Sequence, residues 1–159
     1  MINKVITDAI VLNFEEIRRR SILLWSGMAP ELYNWRPDVK AFSCIEMIRH
    51  VLETEHIYHL IVKIRGNPPE DFVSPWKDRL FRDLKNELEF AEHFKNNFYE
   101  TIRGVTIEDL NSIEIVRKDK RTRTLGDFLN RCAYHEATHA GQFLSYFRTL
   151  GIDRPNIWD

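Results

Sequence analysis

The sequence predicts an all-α fold, a four-helix bundle. Apolar residues recur at three- and four-residue steps along four long stretches, the pattern of helices that each bury one face. The six glycines and six prolines cluster, and the helical stretches lie between the clusters. One short and two long connections suit a bundle with crossovers.

Helix one covers about 2–25, with Ile6, Ile10, Phe14, Ile17 and Leu24 as its stripe, and Gly27 and Pro30 end it. A crossing loop over 28–42 holds Pro30, Trp35-Arg36-Pro37 and Asp38. Ser43-Cys44-Ile45-Glu46 then reads as a capping box, in which the serine and the glutamate three residues on satisfy each other's free N–H groups. Helix two runs to about Arg65, with Gly66 at the expected stop and Asn67-Pro68-Pro69 blocking continuation. Helix three is expected over 77–103, striped by Leu80, Leu84, Leu88, Ala91, Phe94, Phe98 and Ile102. Alternation in Ile113-Glu114-Ile115-Val116 and again in Arg121-Thr122-Arg123-Thr124 predicts a small hairpin, although its turn lacks Gly or Asn. Thr124-Leu125-Gly126-Asp127 opens helix four, which runs to Leu150 and stops at Gly151. The last eight residues read as a tail. Helices of this length span roughly 35–40 Å.

Composition bounds the function. A chain of 159 residues, 43% apolar and 30% charged, is expected to form one domain over 1–159. Its net charge of −1 gives no global reason to bind nucleic acid or an acidic membrane surface. Arg18-Arg19-Arg20 and the basic run 117–123 read as solvated faces, and the second lacks aromatics for base stacking. No stretch is apolar enough to span a membrane, and no signal peptide is read at the N-terminus. Cys44 and Cys132 make no disulfide framework, so a cytoplasmic setting is expected.

Chemistry concentrates in helix four, at His135-Glu136-Ala137-Thr138-His139. Residues four apart return to within about 40° of the same direction, so both imidazoles project from one face. They continue the stripe Leu125, Phe128, Cys132, His135, His139, Gln142 and Tyr146. On helix two, His50 interrupts the stripe Met47, Thr54, Ile57, Ile61 and Ile64. Three inward histidines suit a divalent transition metal on three nitrogens, with positions left open for water or substrate. The bland alternative is a set of hydrogen-bonded core histidines. His56, His59 and His93 read as rim or solvated residues, with His59 as a substitute ligand. Cys132 reads as a small buried hydrophobe, with a thiolate ligand as the alternative. A zinc peptidase is not expected, because no His or Glu follows His139 to complete such a site. Glu136 can serve as a base, support a ligand, or be solvated.

Ser43-Cys44-Ile45-Glu46-Met47-Ile48-Arg49-His50 and Tyr134-His135-Glu136-Ala137-Thr138-His139-Ala140-Gly141-Gln142 together resemble the DinB-like family of four-helix bundles. Leu32, Trp35, Pro37, Thr124-Leu125-Gly126-Asp127, Arg148-Thr149-Leu150-Gly151 and Pro155 fit the same pattern. The resemblance implies an up-down-down-up bundle, often a homodimer. It implies a divalent metal, commonly zinc, nickel or iron, on His50, His135 and His139. Members with known activity include S-transferases and isomerases that use a low-molecular-weight thiol cosubstrate such as bacillithiol or mycothiol. Many members carry a basic residue where Ala140 stands here, so any substrate anion held there lacks its partner.

The expected function is therefore a metal-dependent enzyme of the thiol S-transferase type acting on a small-molecule substrate. Tyr134, Gln142 and Tyr146 are candidate rim residues, each with core packing or ligand support as its alternative. A small metal-dependent hydrolase with Glu136 as base, and a non-catalytic metal-binding dimeric bundle, are the competing readings.

Overall fold

The computed structural model describes residues 2–158, and its helices begin and end where local chemistry satisfies their free backbone groups. Helix α1 (Ile2–Gly27) buries Thr7, Val11, Phe14, Arg18, Ser21, Leu24 and Trp25. The buried stripe is turned by about one residue from the expected one, so Ile6, Ile10 and Ile17 flank it. A single 3₁₀ turn at Pro30–Leu32 follows. The carbonyls of Trp35 and Tyr33 then accept from the N–H groups of Cys44 and Ile45 at 3.1 and 3.0 Å, satisfying donors that open helix α2 (Cys44–Ile64).

The capping box at Ser43 and Glu46 forms as expected. At the other end the left-handed residue is Arg65, with φ 57°, rather than Gly66. Gly66 supplies the next contact, an N–H to the Ile61 carbonyl at 3.2 Å.

Helix α3 (Leu84–Arg103) starts seven residues later than the sequence suggested. Asp83 caps it by accepting from the Asn86 N–H at 2.8 Å. The preceding segment is irregular because its groups are used elsewhere. The Arg79 carbonyl accepts from Arg49 at 2.6 Å, Trp76 is buried, and Leu80 points outward. Arg49 also forks onto Glu87, which is completely buried, at 3.0 and 3.2 Å.

A short helix, α4 (Ile107–Ser112), was not foreseen; Thr106 and Asp109 form a second capping box there. The hairpin pairs β1 (Glu114–Val116) with β2 (Thr122–Thr124), antiparallel, with Ile115 opposite Arg123. Lys120, at φ 62°, takes the left-handed position that Gly or Asn usually fills. Helix α5 (Leu125–Leu150) follows directly, capped by Thr124 and closed by left-handed Gly151. The tail packs instead of trailing. Ile157 is buried, and Pro155 sits so close to Gly27 that a Cβ there would lie 2.4 Å from its ring.

Contacts fix the helix directions. Arg18 meets Glu136, and Gly27 lies by Phe147, so α1 and α5 run parallel. Arg49 meets Glu87, and His59 meets Thr101, so α2 and α3 run parallel. Tyr58 packs on Phe128, while the Tyr146 hydroxyl donates to the Phe42 carbonyl at 2.7 Å; α2 therefore opposes α5. The bundle is up-down-down-up, with α1 and α2 each packed on α3 and α5.

The core divides into two apolar clusters, one around Leu24, Trp25, Phe143 and Phe147, the other around Phe14, Phe98, Leu125 and Phe128. Between them along the helices lie Arg18, Glu55 and Glu136. Arg18, expected in a solvated run, is only 5% exposed. Its Nε and Nη2 donate to the two Glu136 carboxylate oxygens at 2.8 and 2.9 Å, and Nη2 lies 3.3 Å from Glu55 Oε2.

His59 also departs from expectation. It is buried, stacks on Phe98, and its Nε2 lies 2.8 Å from the Thr101 hydroxyl. That hydroxyl donates to the Asn97 carbonyl, so His59 is the donor to it and is not a spare ligand.

Two outcomes are expected. Removing one partner of a buried ion cluster costs about 3–5 kcal/mol. Arg18→Met should lower unfolding stability in urea by an amount of that order, and adding Glu55→Gln with Glu136→Gln should recover part of it. Burial, with Lys63 and His56 adding, lowers the His59 pKa to about 4. The unfolded histidine, at about 6.5, takes its proton earlier, so this contribution is present above that pH and is lost as pH falls toward 4. The thermal midpoint of metal-free protein should therefore fall less steeply across this window in His59→Gln than in the parent.

Candidate metal centre

The antiparallel pairing of α2 with α5 sets His50 opposite His135 and His139. His50 Nε2 lies 3.0 Å from His135 Nε2, which lies 3.1 Å from His139 Nε2. The three donor atoms all fall within 4.8 Å of one another, and no other His, Cys, Asp or Glu joins such a group among the described residues.

Each ring is held from behind. Phe42 lies on His50 at 5.0 Å between centroids, and the Tyr146 hydroxyl anchors the Phe42 backbone. Tyr58 meets His135 edge-on at 5.5 Å. His139 Nδ1 lies 2.7 Å from Gln142 Oε1. Because that oxygen only accepts, Nδ1 carries the proton and Nε2 presents a bare lone pair.

Protonation is suppressed at the cluster. Burial, then the neighbouring His139 and His50, lowers the His135 pKa to about 4. Burial is also the main cause that lowers His50 and His139. At neutral pH the three rings are therefore uncharged, and their Nε2 atoms converge.

This donor set fits a cation better than it fits itself. Two contacts of about 3 Å between ring nitrogens have too few protons for good hydrogen bonds, since His139 Nε2 has none to give. Two nitrogens each about 2.0–2.1 Å from one metal lie roughly 2.9–3.4 Å apart for ligand angles between square and tetrahedral. The two short separations fall in that range.

The structure does not bring every expected residue to the cluster. The buried seam of α5 runs through Leu129, Cys132, Ala133, Glu136, Phe143 and Phe147, and the histidines flank it on the side facing α2. Glu136 is 8% exposed, so it is not solvated, and Arg18 holds both its oxygens. Cys132 is buried and its thiol donates to the Phe128 carbonyl; burial pushes its pKa well up. His56 packs against Phe94 and Trp76, and His93 is exposed. Tyr146 lies in the core, where Trp35 packs edge-on against it. Tyr134 is exposed and lines an open groove of about 380 Å³ with Asn130, Arg131, His135 and Thr138. Ala140 packs against the apolar core.

Tyr58 and Phe42 were missed. Tyr58 follows His50 by two helical turns on α2, a spacing that could have drawn attention to it. Phe42 precedes the cap of α2 and carries no such signal.

Comparison with known proteins agrees with this architecture. The crystal structure of a DinB-like protein (YjoA) from Bacillus subtilis is similar over 93% of this chain and 95% of its own, with 21% identity and a TM-score of 0.69. No curated protein matches the chain. The sequence model of the DinB superfamily matches residues 13–143. Because that match runs over most of the sequence, from within α1 to beyond both histidines of α5, the chain belongs to the DinB superfamily.

Proposed function

We propose that this chain is a metal-dependent enzyme of the thiol S-transferase type, in which His50, His135 and His139 hold one divalent transition metal, zinc, nickel or iron. The observation that carries the reading is the convergence of three uncharged imidazoles, with Gln142 fixing the bare nitrogen of His139 toward the other two. Three protein donors leave coordination positions open, as catalytic sites do. A non-catalytic site would draw a fourth protein ligand, and none joins the group among the described residues.

When bound, the metal supplies Lewis acidity that lowers the pKa of a low-molecular-weight thiol, so that thiolate is present at neutral pH. The chain's own residues orient and bind. The groove beside His135 has the capacity for a small molecule. Arg131 lines that groove and is half exposed, and its Nε lies 3.3 Å from Asp127. It offers a cation to a cosubstrate carboxylate, a role that Ala140 cannot fill. The hydrolase alternative asks for Glu136 as a free base, whereas both its oxygens accept from Arg18, so the thiol reading is preferred.

Elemental analysis of freshly purified protein tests this. About one equivalent of transition metal per chain is expected, as for a single three-histidine site. It should be lost in the His135→Ala, His139→Ala double variant. Thiol conjugation to electrophiles should fall to background after chelation and return with zinc or nickel. Acid releases the metal by protonating the histidines, and burial delays this to below about pH 6.5. Protein that holds no metal and takes up neither zinc nor nickel would contradict the reading.

A further inference from the structure

Behind His135, on the side of the bundle interior, lies a small cavity of about 20 Å³. Its polar lining comes from Glu55, Tyr58, Cys132, His135 and Glu136, and the rest is apolar, including Val51 and Ala133. A polar cavity above about 10–15 Å³ holds one water when two to four polar groups surround it.

Some of these groups are already committed elsewhere. Glu136 is committed to Arg18, and the Cys132 thiol to the Phe128 carbonyl. Glu55 meets Arg18 through one oxygen at 3.3 Å, leaving carboxylate lone pairs open. The Tyr58 hydroxyl and His135 Nδ1 make no hydrogen bond to any described residue. His135 Nε2 is turned to the other two histidines, so Nδ1 is the nitrogen left to be fixed.

We propose that one buried water in this cavity accepts from His135 Nδ1–H and bonds Glu55 and the Tyr58 hydroxyl, making Glu55 and Tyr58 positioning residues for His135. The water does for His135 what Gln142 does directly for His139: it holds the proton on Nδ1 and leaves Nε2 bare. Partners of this kind around metal-binding histidines change metal affinity about 10–100-fold. The arrangement joins the histidine cluster to the buried Arg18 cluster through Glu55. The Tyr58 phenol donates to the water, and the water donates to Glu55.

This inference rests on the three-histidine metal reading, and the experiment separates the two. Cobalt(II) is titrated into metal-free parent protein, Tyr58→Phe and Glu55→Gln, following visible absorption and competition with a chelator. Tyr58→Phe removes only the hydroxyl and keeps the ring between Phe128 and His135, so it is the variant that should fold unchanged. Parent protein that binds no cobalt overturns the metal reading itself. Parent binding, with affinity weakened about tenfold or more in both variants, supports the water bridge. Parent binding with Tyr58→Phe unaltered overturns it. On metal-free protein, ¹⁵N shifts of His135 should show the Nδ1–H form in the parent and a mixture of the two tautomers in Tyr58→Phe. A parent that already carries the proton on Nε2 overturns the bridge independently of any metal.

Discussion

The buried cluster of Arg18, Glu55 and Glu136 is the constraint on which the rest of the bundle depends. It joins three helices at one level, between two apolar clusters that leave sliding and rotation less restricted. Apolar packing is non-directional, whereas a two-pronged guanidinium–carboxylate contact fixes both height and rotation. With Glu136 turned to α1, its neighbour His135 must project about 100° away, toward α2. The ion cluster thereby aims the histidines toward α2. Its cost is desolvation, and burial raises the pKa of Glu55 against the lowering influence of Arg18.

Around the histidines, each side chain behind a ring has its own task. Gln142 sets a tautomer, Phe42 and Tyr58 limit ring rotation, and Tyr146 holds the loop that carries Phe42. Together they reduce the freedom that metal binding would otherwise have to remove. His135 lines both the inner cavity and the outer groove, so one ring separates the buried charge cluster from the open groove.

Local signals in the sequence were sufficient for much of this. The capping box at Ser43 forms because its chemistry closes within four residues. The pairing of His135 with His139 follows from helical geometry alone, and the hairpin from strict alternation. What stayed hidden depends on distant partners. Arg18 sits in a triple-arginine run that reads as solvated, and its partner Glu136 is 118 residues away. Residues 77–83 have a helix-compatible composition, yet Arg49 and the burial of Trp76 use that backbone as a loop. Assigning the helix faces from apolar residues alone therefore put the histidines in the seam and Glu136 outside it. The buried ion cluster reverses that order.

X-ray absorption at the metal edge of zinc-loaded protein tests the central claim most directly. The account predicts three imidazole nitrogens at about 2.0–2.1 Å, at least one further light atom, and no sulfur. A sulfur scatterer near about 2.3 Å, or fewer than three imidazoles, would contradict it.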